Sequence, residues 1–249
     1  TSLRVQADDL ASVSSLAGNV AGAGTAAFGA AIAVNQVGRV VKAQLSGMTL
    51  ASTGTAVTVD ADLRGEIESV AASGGAGGTG AATGSFTTNE ITASVKAQAL
   101  NVTQSTSGGA FAVSADNDAD ILAVAGTVSG GGTAAAGVAV SVNEIGGDVT
   151  AQVTDSTLRA TGAVTVDATS SGLIKSVAAG VSGGGTVALS GSNTTNAITS
   201  TVLARMSSVT QAAASSSLRV QAQDSSTIRS FAGSVSGGGT AAGGAAFAM

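Results

Sequence analysis

A unit of about 54 residues recurs along this chain, and only folds that stack such a unit on itself are compatible with it. A Gly-rich turn followed by Thr ends at Thr25, Thr79, Thr133, Thr186 and Thr240, at spacings of 54, 54, 53 and 54. Ten residues after each of the first four lies an asparagine: Asn35, Asn89, Asn143 and Asn196. The hexapeptide Ser2-Leu3-Arg4-Val5-Gln6-Ala7 returns letter for letter as Ser217-Leu218-Arg219-Val220-Gln221-Ala222, 215 residues on. The chain reads as one continuous array over 1–249, in units of approximately 3–56, 57–110, 111–163, 164–217 and a truncated 218–249. The residue missing from the third copy falls between Ala151 and Ala168, where a turn would absorb it. Thr1 and Met249 read as cuts through a longer protein.

Aligned copies define columns. Leu3, Val57, Phe111, Val164 and Leu218 form one, and Val5, Val59, Val113, Val166 and Val220 the next but one. Two further on comes Ala7, Ala61, Ala115, Ala168 and Ala222. A spacing of two puts these on one face of a strand, and the β-branched content suits a sheet. Other aliphatic columns are Val13, Ile67, Ile121, Ile174, Ile228; Leu16, Val70, Val124, Val177, Phe231; and Val37, Ile91, Ile145, Ile198. Gly, Ser, Asn and Asp clusters between apolar runs predict about four strands per unit: Val164–Ala168, Leu173–Val181, Thr186–Thr195 and Ile198–Met206, with a turn at Ser182–Gly185. Dense Gly and a period of two argue against helix.

One such unit cannot bury a core alone, whereas stacked units bury continuous apolar stripes. The fold expected is therefore all-β, a tandem-repeat β-solenoid (β-helix). Stacked antiparallel β-meanders, closed by the Gly-Gly-Gly-Thr turns, are the alternative. One large coil per unit, or two or three smaller ones, remain open. The asparagine column fits a stacked hydrogen-bonded ladder, or, more simply, a residue that favours turns.

Composition limits the function classes. There are 36 Gly, five Phe and no Pro, Cys, His, Trp or Tyr, and charged residues make up only 10% against 44% hydrophobic. Ala and Val supply most of the apolar content, so the core must be thin and closely packed. Net charge is −5 and the Lys and Arg are scattered singly, which makes nucleic acid an unsuitable partner. Without Cys there is no disulfide framework, which fits a cytosolic protein or a repetitive exoprotein whose units stabilise one another. Uncharged stretches such as Ile121 to Asn143 carry Gly-Gly-Gly near their middle and read as strands with turns, not as a transmembrane helix.

Segments such as Ser176-Val177-Ala178-Ala179-Gly180-Val181-Ser182-Gly183-Gly184-Gly185-Thr186 and Gly137-Val138-Ala139-Val140-Ser141-Val142-Asn143-Glu144-Ile145 resemble the repeat regions of giant Gram-negative surface exoproteins, the filamentous-haemagglutinin-like, type V secreted adhesins. The resemblance spans the chain in texture and carries no catalytic signature. It implies a very long parent protein, secreted to the bacterial cell surface and built as a β-helical shaft.

Chemistry-bearing motifs are sparse. Lack of His and Cys removes the usual triads and soft-metal sites. The densest acidic run, Asp116-Asn117-Asp118-Ala119-Asp120, offers alternating oxygens of the kind Ca²⁺ takes, with Asp116, Asp118 and Asp120 as candidate ligands. Ile121 and Thr127 stand where an EF-hand needs Gly and Glu, and a solvated polar turn is the plainer reading. No other cofactor is expected. Glu66 and Glu68 share a strand face, but no other copy has both, which weighs against a β-helical polysaccharide-active enzyme. The Thr25 column lacks flanking Thr columns, so an ice-binding face is not expected either. Asn101-Val102-Thr103 and Asn193-Thr194-Thr195 match the glycosylation sequon. Arg4, Arg64, Arg159, Arg219 and Arg229 read as outward residues that discourage edge pairing. The function expected is that of a structural shaft segment of a secreted bacterial adhesin or extracellular filament. Its expected partners are its own neighbouring repeats, a host or bacterial surface or matrix polysaccharide, and laterally other copies. The alternative is a self-associating matrix or filament protein.

Overall fold

The computed structural model describes residues 1–249 and contains strands, turns and loops but no helix. The elements are β1 (Ser2–Ala23), β2 (Ala26–Ser46), β3 (Thr49–Leu50), β4 (Ala56–Gly77), β5 (Gly80–Leu100), β6 (Thr103–Gln104), β7 (Phe111–Gly131), β8 (Ala134–Leu158), β9 (Ala163–Gly184), β10 (Val187–Gln211), β11 (Ser217–Asp224), β12 (Thr227–Gly238) and β13 (Ala241–Ala248). Strands β1, β4, β7 and β9, followed by β11 and β12, make one sheet; β2, β5, β8, β10 and β13, with the short β3 and β6, make the other. Every pairing is parallel. Partners lie one repeat apart, as in Val57↔Phe111 or Asn35↔Asn89. This is a two-sheet β-solenoid with one coil per repeat. The antiparallel meander is excluded, because the strands flanking each Gly-rich turn belong to different sheets and pair only with the rungs above and below.

Each rung holds two long strands where turn chemistry predicts four. β9 runs unbroken through Thr169–Gly172, and β10 through Asn196 and Ala197. The continuous ladder from the preceding rung, β7 for β9 and β8 for β10, holds these polar residues extended, outweighing their local preference for turns. The last rung is paired on one side only, and there a break does open, at Ser225 and Ser226 between β11 and β12. The register changes from 54 to 53 between Thr103↔Thr157 and Phe111↔Val164, inside the loop that follows β8.

Two corners close the coil. The tight one lies at Thr25, Thr79, Thr133, Thr186 and Thr240, all exposed. Its glycines are required by close approach: a Cβ on Gly132 would run into the Gly78 carbonyl one rung below. The backbone there bonds rung to rung, with Thr133 N donating to Thr79 O at 2.8 Å and Gly132 N to Gly77 O at 3.2 Å. The wide corner bends at Gly47, Asn101, Asp155 and Ser208, which all take a left-handed φ, between 50° and 62°. Gly, Asn and Asp tolerate that region best, and Ser is the costliest of the four.

The interior changes along the rung. Next to the wide corner lies the largest apolar cluster, which includes Val57, Val59, Leu63, Val95, Phe111, Val113, Leu158, Val164 and Val166. Two facing isoleucine stacks come next, Ile67, Ile121 and Ile174 against Ile91 and Ile145. Burying each such side chain stabilises by about 1.5–3 kcal/mol. Leu3 and Val5 are half-buried, while Leu218 and Val220 in the last rung are exposed, each having a neighbour on one side only. Beyond the asparagine ladder the interior thins to Ala, Gly, Ser and Thr, with Asn19 in the first rung. The sheets come so close there that Ser129 Oγ donates to the facing Ala136 carbonyl at 2.6 Å, and Ser236 Oγ to that of Gly243 at 2.7 Å.

One aliphatic column does not belong to the core. Leu16, Val70, Val124, Val177 and Phe231 point outward, with Leu16 81% and Phe231 60% exposed. They lie three residues from the inward Val13 column, and an odd step along a strand reverses the face.

Candidate functional site

Three features of the rungs carry chemistry. The first is the asparagine column. Asn35 Nδ2 donates to Asn89 Oδ1 at 2.8 Å, Asn89 Nδ2 to Asn143 Oδ1 at 2.8 Å, and Asn143 Nδ2 to Asn196 Oδ1 at 2.9 Å. Asn196 Nδ2 ends the series on the Met249 carbonyl at 2.9 Å. All four point inward in the middle of long strands, so the residues form a ladder and occupy no turn. Asn35 also donates to Ser15 Oγ on the facing sheet at 2.8 Å. The ladder thus ties rung to rung and sheet to sheet, at the boundary between apolar and hydroxyl-bearing interior.

The second is an acidic surface on the outer face of the first sheet, near the wide corner. The run 116–120 is not a turn but part of β7. Asp116, Asp118 and Asp120 all face outward there, strung along the strand at alternate residues, and they do not converge as a ligand trio. The convergent group forms across rungs instead, where oxygens of Asp60, Asp62 and Asp116 lie within 4.8 Å of one another. Asp62 sits directly beside Asp116 in the ladder, and Asp8 beside Asp62. Burial pushes the Asp62 carboxyl above its ordinary 3.8, and the charges of Asp60, Asp116 and Asp8 push the same way against Arg64. Asp116 is raised by burial first and by Asp60 and Asp167, while hydrogen bonds from Thr169 and Asp62 oppose the shift. Asp120 is raised by burial, Asp118 and Glu66, with Lys175 opposing. Hard oxygen donors this close suit Ca²⁺, which takes six to eight. A shallow groove of about 380 Å³ runs beside them past Arg64, Asn117 and Asp118.

Arginines on this face answer the carboxylates. Arg4 meets Asp60 at 3.2 Å and Arg219 meets Asp167 at 3.3 Å. Exposed pairs of this kind contribute only about 0–1 kcal/mol each. Residue-type counting could not find the Asp60–Asp62–Asp116 group, because Asp116 comes from a different copy than Asp60 and Asp62. The signal was in the columns: Asp8, Asp62 and Asp116 are stacked by the repeat itself.

The third feature lies around the tight corner, where the chain reverses its usual polarity. Inward positions there include Ser73, Ser85, Thr87, Thr127, Ser129, Ser141, Ser182 and Ser190, all buried. Outward positions are mostly Gly, Ala, Val, Leu, Ile and Phe, among them exposed Val128, Val138, Val181, Leu189 and Val235. The sequon residues divide between the two corners: Asn101 forms the wide bend, and Asn193 faces outward near the tight one.

No family model matches the chain, and neither a curated protein nor a solved structure matches it.

Proposed function

We propose that the chain is a structural shaft segment of a secreted bacterial adhesin or extracellular filament, working by rigid extension and surface attachment and not by catalysis. The observation that carries the reading is the register: the five copies stack as one cross-section, with hydrogen bonds running along the stacking axis. Of 182 backbone hydrogen bonds, 154 lie in the strands, so bending the stack means stretching whole rows of them together. Each rung presents its outward positions in the same places, one above another. Attachment to a host surface, a bacterial surface or a matrix polysaccharide is therefore multivalent and weak per site. Ca²⁺ at the Asp60, Asp62 and Asp116 group would neutralise mutual repulsion on that surface without altering the shaft.

The test is electron cryo-microscopy of the intact parent material. The expected result is a straight ribbon advancing about 4.8 Å per 54-residue repeat. Separate globules along a flexible thread, with an advance several times larger, would overturn the reading. Lateral self-association into a matrix is the second reading, favoured by the exposed apolar surface over Gly237–Ala248, where Phe247 is 63% exposed.

A further inference from the structure

The reversed end of the rung has a measurable depth. Residues 15–35, 69–89, 123–143, 176–196 and 230–249 contain no Asp, Glu, Lys or Arg, so every charge in the chain lies outside these five stretches. On the first sheet, the outward columns through Leu16, Gly18, Val20 and Gly22 hold nothing but Gly, Ala, Val, Leu and Phe. On the second sheet, the five outward columns nearest the corner hold only three polar residues, Thr88, Asn193 and Thr195.

Both faces end at the same depth. Counting back from the corner threonine, the first charged outward column of the first sheet is the eleventh residue, with Glu68, Lys175 and Arg229. Counting forward, the first on the second sheet is also the eleventh, with Glu90 and Glu144. At about 3.3 Å per residue the uncharged wedge is about 35 Å deep. The hydrocarbon core of a bilayer is about 30 Å thick, and a spanning strand needs about 9–11 residues.

We propose that this wedge is a lipid-embedded edge, with the hydrocarbon of a bilayer covering both outer faces at once and the corner threonines reaching the opposite headgroup region. Three observations favour hydrocarbon over a second copy of the chain. Apolar character ends at equal depth on two faces that do not touch the same neighbour, as a planar slab requires and a one-sided contact does not. Each face over these five rungs covers about 700 Å², near the roughly 800 Å² per partner of a standard interface, yet a dimer through one face leaves the other and the corner uncovered. Within the wedge the strand backbones of the inner rungs pair on both sides, as β4 with β7 up to Gly77↔Gly131 and β5 with β8 from Gly80↔Ala134, which hydrocarbon demands of any chain within it. The ribbon would then lie lengthwise on the membrane, its acidic surface in water. This specifies the surface that the shaft attaches to and does not depend on the secretion route. Loss of lipid binding with an intact 4.8 Å ribbon would sink this inference alone.

The experiment is flotation of the 249-residue chain with uncharged phosphatidylcholine vesicles at low and high salt. Flotation insensitive to salt is expected. Val128 and Val138 lie outward on opposite faces, five residues either side of Thr133, and are 59% and 45% exposed. Replacing both (V128D with V138D) should lower vesicle partition at least about a hundredfold, with the circular dichroism spectrum unchanged. Thr58→Asp, outward near the wide corner, should float like the parent. The chain has no Trp, so Val128→Trp reports independently of that variant's folding: its emission should shift to the blue and be quenched by lipids brominated in the acyl chain. A chain that stays at the bottom of the gradient, or an unquenched Trp, overturns the proposal. So does an oligomer in vesicle-free buffer that the double variant disperses, which would assign the faces to a second copy.

Discussion

At the scale of single residues, the interior asparagines carry the greatest consequence per atom. Asn89 is 1% exposed and bonded on both sides, to Asn35 and to Asn143. Asn89→Ala strands a donor on Asn35 and an acceptor on Asn143 between two sheets, at a cost of about 2–3 kcal/mol. Asn35→Ala, in the first rung, strands fewer groups and should cost about 1 kcal/mol. Urea unfolding measures both, and an Asn89→Ala midpoint equal to the parent's would show that the ladder adds nothing. The acidic surface works in the opposite sense. Asp62 and Asp116 hold their protons more tightly in the fold than in the unfolded chain, chiefly through burial. The folded state therefore binds more protons between the ordinary 3.8 and the raised value, and stability falls as pH rises through that window. The melting temperature should climb as pH is lowered from neutral toward the carboxylate range. Asp62→Asn should raise it at neutral pH and flatten that climb; a lower melting temperature for Asp62→Asn would mean that the carboxylate is held by favourable contacts instead.

At the scale of elements, the inward columns were legible because hydrophobic contrast marks them. Val57, Val59, Phe111 and Val113 alternate with Thr58, Asp60, Ala112 and Ser114, and stacking copies then fixes the register. Strand boundaries were not legible. Thr169 to Gly172 is turn chemistry by composition, yet it lies in the middle of β9 because β7 pairs with it along its whole length. Length scale explains the error: turn propensity is read over four residues, whereas the ladder that defeats it joins residues 53 or 54 apart. The Leu16 column failed for another reason. Around the tight corner the inward residues are mostly Ser, Thr, Ala and Gly, and the outward ones mostly Val, Leu, Ile, Phe, Ala and Gly, so hydrophobicity points to the wrong face. Parity alone would have placed the column correctly, since Val13 to Leu16 is an odd step. The convergent carboxylates show the converse: Asp116, Asp118 and Asp120 on one strand form no trio, and stacking brings Asp116 beside Asp60 and Asp62 of the copy below.

At the scale of the whole molecule, stability must be close to a sum over rungs and the contacts between them. Each rung touches only the one above and the one below, and side chains are fully buried only between two neighbours: Val57 is 1% exposed, whereas its column-mate Leu218 in the last rung is 62% exposed. Such a stack behaves as a one-dimensional array in which every internal rung adds a similar increment. Inserting a second copy of residues 57–110 directly after Ala110 preserves the 54-residue register on both sides, because Val57 then pairs with Val57 of the new copy and that copy with Phe111. The outer edges stay as they are, so the new rung contributes one full set of neighbour contacts. The lengthened chain should unfold in a single transition at higher denaturant, with a dependence on denaturant steeper by about a fifth, since that slope follows the area exposed. A second, separate transition would mean that the inserted unit folds by itself; an unchanged midpoint would mean that contacts within a rung, not between rungs, set the stability of the shaft.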